Sequence, residues 1–321
     1  MKRLLATLGC ALALAISPAA LAQAFPTKPV KIIVTYPPGG GADLMARLIA
    51  PKMAEALGQP VVVENKAGAS GQIGASEVAR AAPDGYTLML DAANYAVNPS
   101  LYPKLPYDPA KAFTPIGVLA LYPNMLVVTP SFAPKNVKEL VDLAKSKPGT
   151  VAFASSGNGS AQHLAGELFK QKAGVDLQHI PYKGGSQAIT DVIGGQLPLV
   201  AVNALEVLPH VKSGKLRVLA VLSANRSSIY PDVPTMAESG FPGFEASVWY
   251  GFIAPAATPK AVVERLHAEV QKALQHPDVR ARLANAGGEV LPGSTEQFAA
   301  LIRSERARYE KLVREANIKP D

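Results

Sequence analysis

Short apolar runs alternate with longer amphipathic stretches along most of the chain. The first clear run, Val30-Lys31-Ile32-Ile33-Val34-Thr35, is β-branched and predicts a buried strand. Pro37 and Pro38 end it, because neither can donate a ladder hydrogen bond. Gly39, Gly40 and Gly41 follow, and a helix is expected to open at Ala42-Asp43 and stop at Gly58-Gln59-Pro60, with a kink at Pro51. A strand, a glycine turn and a helix start together make an anion site, since the first backbone N–H groups of a helix are free and its dipole is positive there. No Gly-Lys-Ser/Thr closes the turn, so it is not a nucleotide P-loop. Gly40→Val is expected to block closure on a ligand while the fold survives.

The same grammar recurs. A strand at residues 61–64 is followed by Gly68, Gly71 and Gly74, and a helix to about residue 81. This spacing is not G-x-G-x-x-G, and no dinucleotide fingerprint is read from it. A strand at 86–90 completes a β-α-β-α-β order, which implies a parallel sheet with right-handed crossovers. Residues 94–115, rich in Pro and Tyr, read as a long ordered loop, and 116–121 and 125–129 as two strands. In the second half Asn136 and Glu139 have capping-box spacing. Strands at 151–154 and 177–181 precede small-residue turns, Ser155-Ser156-Gly157-Asn158-Gly159-Ser160 and Tyr182-Lys183-Gly184-Gly185-Ser186, each leading into a helix. Strands at 197–202 and 216–222 flank a short helix ending near Lys212. Residues 244–253 read as a returning strand. Thr258-Pro259 reads as a cap with a first-turn proline, and Ser294 with Gln297 as the cap of the last helix. Ligands of parallel sheets bind beyond the carboxyl ends of the strands. Two such sheets facing each other would bring the turns at Tyr36, Ser155 and Lys183 into one cleft.

The first 24 residues stand outside this pattern. Lys2 and Arg3 precede an apolar stretch too short to span a bilayer, and Ala20-Leu21-Ala22 and Ala22-Gln23-Ala24 both suit cleavage, with the cut after Ala24 favoured: a secretory leader. The one cysteine, Cys10, falls inside it, so the mature chain is expected to have no disulfide, thiol nucleophile or Cys-ligated metal. Two of the 32 basic side chains leave with the leader, which lowers the formal net charge from +7 to +5. That charge is spread out, with few interleaved aromatics, and argues against nucleic acid. No later stretch is apolar enough to enter a membrane, and no metal spacing of the H-E-x-x-H kind occurs. Ser160 and His163 prompt a hydrolase reading, but there is no G-x-S-x-G elbow, and an enzyme is not expected.

Several motifs stand in one order. They are Pro37-Pro38-Gly39-Gly40, Val62-Val63-Glu64-Asn65-Lys66, Pro83-Asp84-Gly85-Tyr86, Leu105-Pro106-Tyr107-Asp108, His163-Leu164-Ala165-Gly166-Glu167, Pro181-Tyr182-Lys183-Gly184-Gly185, Leu208-Pro209-His210 and Trp249-Tyr250-Gly251. In that order the chain resembles the Bug-type receptors, extracytoplasmic solute-binding components of tripartite tricarboxylate transporters. The resemblance implies an α/β, two-lobed periplasmic-binding-protein-like fold, two mainly parallel sheets flanked by helices with a ligand cleft between the lobes. It implies lobes of residues 25–123 with 249–321, and 124–248. It also implies a small carboxylated ligand, membrane transporter subunits as partners, no cofactor, a monomer, and a periplasmic location. Carried over residue by residue, the ligand-binding positions are Tyr36, Pro38, Gly39, Gly40, Gly41, Ala42 and Asp43 on the first lobe. On the second they are Ser155, Ser156, Gly157, Gly159 and Ser160, with Lys183, Gly184, Gly185 and Ser186 as a further wall. Tyr95, Asn203 and Trp249 are candidate cleft residues. The family often has His where Tyr95 stands and Phe-Asp-Asn where this chain has Ala201-Val202-Asn203, so relatives do not fix the ligand. A sensor feeding a membrane two-component kinase would use the same closed surface.

Overall fold

A computed structural model describes residues 25–320; the expected leader and Cys10 lie outside them. The chain runs β1 (Val30–Val34), α1 (Gly41–Leu57), β2 (Val61–Asn65), α2 (Gln72–Ala79), β3 (Thr87–Asp91), α3 (Ala93–Leu101) and β4 (Phe113–Val128). It continues through α4 (Val137–Ser146), β5 (Ala152–Ser155), α5 (Ala161–Ala173), β6 (Gln178–Pro181), α6 (Gly185–Ile193), β7 (Leu199–Asn203), α7 (Ala204–Lys212) and β8 (Arg217–Val221). The last elements are β9 (Ser247–Pro255), α8 (Lys260–Gln275), α9 (Pro277–Asn285) and α10 (Thr295–Glu315).

β1 pairs in parallel with β2 and β3, as the βαβ order predicts. β9 lies antiparallel to β3 and to the first part of β4. Beyond Pro123 the same strand β4 changes partners, pairing antiparallel with β7 and β8, while β5 lies parallel between β7 and β6. Two mixed sheets, one per lobe, thus share one long strand; they are not the mainly parallel sheets expected, because β4 and β9 run antiparallel to their neighbours as they cross between the lobes. Alternation along β4 builds the second lobe's core on both faces: Leu126 and Val128 pack with Phe153 and Phe169, and Met125 and Val127 with Ile189 and Val207. The first lobe buries Ile32, Ile33, Met45, Ile49 and Met53 with Trp249, Phe252 and Phe298.

Three local expectations change. Residues 94–115 are not one loop, since α3 occupies the first part. Its polar residues Asn94 and Asn98 are buried and donate to the Ser70 carbonyl at 3.1 and 2.9 Å. The two strands expected at 116–121 and 125–129 are one strand of 16 residues. Its prolines stand where the ladder is irregular: the register shifts between Pro115 and Gly117, and Pro123 is the last residue opposite β9 before Asn124 pairs with β7. Thr258 does not cap α8. Pro259 is the N-cap there, its carbonyl accepting from Val262 and Val263, and the Thr258 hydroxyl is buried without a partner. The Ser294–Gln297 capping box is complete, and α1 continues through Pro51.

Candidate ligand cleft

The Tyr36 turn is held from outside the cleft by Asp43. Its carboxylate accepts from the Gly39 N–H at 3.0 Å, from Arg47 at 2.9 Å and from Asn65 at 2.9 Å. Desolvation works to raise the Asp43 pKa, but those three donors hold it below the usual value. Asn65 also donates to the Tyr36 carbonyl at 3.0 Å. Asp43 is therefore the brace of the turn and does not line the cleft, while Pro38 and Gly39 lie exposed at its outer edge.

Inside the turn a small cavity is lined by Tyr36, Gly40, Gly41 and Ala42 from the first lobe, and by Ser156, Gly184, Gly185 and Glu206 from the second. Tyr250 of β9 forms one wall. Its volume is about 20 Å³, room for about one water. The starts of α1 and α6 and the turn after β5 all meet here, so backbone N–H groups from both lobes point into one space. Among the described residues no lysine, arginine or histidine lines it. It opens past Tyr36, Pro37 and Ser156 into a groove of about 570 Å³ lined by Ser70, Gly71, Asn94, Gly157, Lys183 and Gln187 among others. The groove is of the size that holds small ligands.

Gly41 and Gly185 are the positions without room. A Cβ on Gly41 would lie 2.1 Å from the Tyr250 hydroxyl and 2.8 Å from Asn203 Nδ2. On Gly185 it would lie 2.0 Å from Glu206 Oε2. At Gly40 the nearest atom would be 3.6 Å away, so no protein atom opposes a side chain there. A Cβ on Gly184, which has φ +134°, would lie 2.6 Å from the Pro37 ring across the cleft.

Other expected site residues do structural work. The Ser160 hydroxyl caps α5, accepting from the His163 N–H at 3.2 Å and donating to the Gly157 carbonyl at 2.7 Å. Ser155 bonds His179 Nε2 at 2.7 Å, and His163 stacks on His179 with 3.8 Å between centroids. Desolvation pushes these histidines down to about 2 (His163) and about 4 (His179), so both are neutral at pH 7. Gly159 faces Leu101 and Val97, and Ser186 lines neither cavity. Asn203 caps α7 and donates to the Tyr250 hydroxyl at 3.2 Å, behind Gly41. Tyr95 packs edge-on to Phe113 under Arg306, and Trp249 edge-on to Phe298. Both sit in the core away from the cleft, which corrects their expected placement.

Two buried acids were not anticipated. Glu206, on the first turn of α7, reaches the cavity; desolvation raises it to about 7, eased by the facing Gly41 N–H and by Asn203. Asp91, at the end of β3, is likewise raised to about 7 by desolvation, against bonds from Ala92, Thr35 and Tyr36. The hint for Glu206 was its place three residues after Asn203, but the same spacing at Asn136 and Glu139 gives an exposed residue. Only the tertiary fold distinguishes them. Ser70 and Asn94 were also missed; the Ser70 hydroxyl reaches the Asn158 carbonyl of the other lobe at 3.2 Å.

Two sheets joined by one shared strand, with helix N-termini converging between them, define a two-lobed solute-binding protein. Residues 45–318 match the tripartite tricarboxylate transporter family receptor, TctC, and the chain belongs to that family. It is 39% identical over 322 aligned residues to protein BugT of Bordetella pertussis, with 99% of each chain covered. The structure of R. palustris Rpa4515 with adipate matches with a TM-score of 0.89 at 36% identity, covering 92% of this chain and 100% of that one. MatC (Rpa3494) from Rhodopseudomonas palustris with bound malate matches at 0.86 and 34%, covering 90% and 100%. The family resemblance and the two-lobed fold read from sequence are thereby borne out.

Proposed function

We propose that the protein is a periplasmic receptor that captures a small carboxylate between its lobes without chemical turnover and delivers it to the membrane subunits of a tripartite tricarboxylate transporter. The observation that carries this reading is the meeting of backbone N–H groups from the α1 and α6 starts, with Ser156, in a cavity lined by no cationic side chain. Such donors suit a carboxylate, and adipate and malate in the two related structures are carboxylates. A micromolar ligand needs about −8 kcal/mol. Charge-assisted hydrogen bonds contribute about 1.5–3 kcal/mol each and a helix start about 0.3–2. Three or four such contacts reach that range and offset part of the association cost. The lobes, residues 25–123 with 249–321 and residues 124–248, hinge where β4 exchanges β9 for β7. Ser160 and His163 act as cap and core packing in this reading.

The test is titration calorimetry against mono- and dicarboxylates, adipate and malate included, with native mass spectrometry of the purified protein. Stoichiometric binding of a small acid, recovered unchanged, is expected. Indifference to every acid, or its conversion, would contradict the proposal.

A further inference from the structure

Glu206 is an odd residue to find in a site for anions. Its relative exposure is 9%, and its Oε2 is buried with no hydrogen-bond partner. Oε1 is taken by Asn203 Nδ2. The carboxylate lines the cavity where α1 and α6 begin, with Oε2 on the Gly185 and Gly40 side. Helix capping does not account for this. Glu139 has the same position relative to Asn136, yet it is exposed and both its oxygens are satisfied, by the Lys135 N–H at 2.8 Å and Asn136 Nδ2 at 2.9 Å. Burying a carboxylate oxygen without a donor is costly, and such groups in a cleft are characteristic of binding sites.

We propose that Glu206 selects the ligand class: its free Oε2 accepts from a protonated amino group, and the receptor takes a carboxylate that also carries an ammonium, an amino acid or a close analogue. This rests on the carboxylate-receptor reading above. The Gly41 N–H already faces Glu206, so the ligand's carboxylate meets the remaining donors at the α6 start and Ser156 while its ammonium neutralises Glu206, and both charges of a zwitterion are matched. A plain carboxylate would instead stand beside a buried negative charge and require Glu206 to bind a proton. The other titratable groups around Glu206 are the Tyr250 and Tyr36 hydroxyls, with Asp91 beyond Tyr36, and no cation faces it from α1, α6 or β9.

The two cases differ in the sign of a proton count. Glu206 titrates near pH 7; an ammonium ligand drives it to the ionised form and releases about half a proton at pH 7, whereas a plain carboxylate draws in about half a proton. The experiment is calorimetry at pH 7 in two buffers of different ionisation enthalpy. The probes are the twenty amino acids and matched acids lacking the amino group, such as aspartate with succinate and glutamate with glutarate. The expected result is an amino acid bound at least tenfold more tightly than its desamino partner, with proton release, both lost in Glu206→Gln. Equal or tighter binding of the desamino acid, with proton uptake, would overturn the inference and leave the carboxylate receptor standing. Binding of no acid in either set would overturn the receptor reading and this inference with it. The proton count is read on the wild-type protein and needs no variant to fold.

Discussion

Replacing Glu206 by Gln should stabilise the protein at alkaline pH and leave it nearly unchanged in acid. The folded environment moves this carboxyl from 4.5 to about 7 by desolvation. At about 1.4 kcal/mol per tenfold in the proton equilibrium, that corresponds to about 3 kcal/mol. The sign follows from proton binding. Between those two values the folded state holds more protons at this site than the unfolded state, so stability is fully present below about 4.5 and lost as pH rises to about 7. Gln keeps the acceptor for Asn203 but carries no charge, so it escapes the loss; the amide that replaces Oε2 is itself without a partner, which trims the gain to about 2–3 kcal/mol at pH 8. Urea unfolding followed by the fluorescence of Trp249, the chain's single tryptophan and buried in the first lobe, reads the difference. The predicted gap is about 2–3 kcal/mol at pH 8 and near zero at pH 4. An equal gap at both pH values, or a less stable variant at pH 8, would refute the argument that an unneutralised charge is buried there.

Other perturbations separate the cleft from its supports. Gly41→Ala should lower carboxylate affinity at least tenfold in calorimetry while α1 still forms by circular dichroism, since alanine favours helix by up to about 1 kcal/mol and the clash lies with Tyr250 and Asn203; Gly40→Ala, with its nearest contact at 3.6 Å, should bind within threefold of wild type. Trp249→Phe should leave affinity unchanged and cost about 1–3 kcal/mol in urea unfolding, because the ring packs on Phe298 in the core; a tenfold loss of affinity would return Trp249 to the site. His163 and His179 are held neutral with pKa values depressed to about 2 and about 4. The unfolded state therefore binds more protons, and each histidine removes about 1.4 kcal/mol of stability per pH unit below about 6.5. His163→Gln should flatten the fall in urea midpoint between pH 6 and pH 5, and an unchanged slope would mean that His163 titrates normally.

Much of this architecture is written in local pattern. The β-branched run at Val30, the glycine turns and the capping pair Ser294–Gln297 give strands, anion-binding turns and helix starts from nearest neighbours alone. What stayed hidden depends on distant partners. α3 looked like loop because residues 94–115 are rich in Pro and Tyr, and only tertiary packing brings the Ser70 carbonyl to the amides of Asn94 and Asn98. β4 looked like two strands because Pro123 should break a ladder, and it lies where the strand changes partners. In the cleft, Gly41 and Gly185 were legible from their turns. Glu206 was not, because its charge and spacing match the solvated Glu139 until α7 is docked against α1. Tyr95 and Trp249 became cleft candidates through the family resemblance, but large aromatic rings serve cores as readily as sites.

The most direct measurement is a crystal structure of the protein with the acid identified by calorimetry. The ligand's carboxylate is expected between the Gly41 and Gly185 ends of α1 and α6, within hydrogen-bond distance of their N–H groups or of Ser156, with the rest of the molecule extending past Tyr36 into the groove by Ser70 and Asn94. A ligand seated elsewhere, with the space between Gly41 and Gly185 unoccupied by any of its atoms, would contradict it.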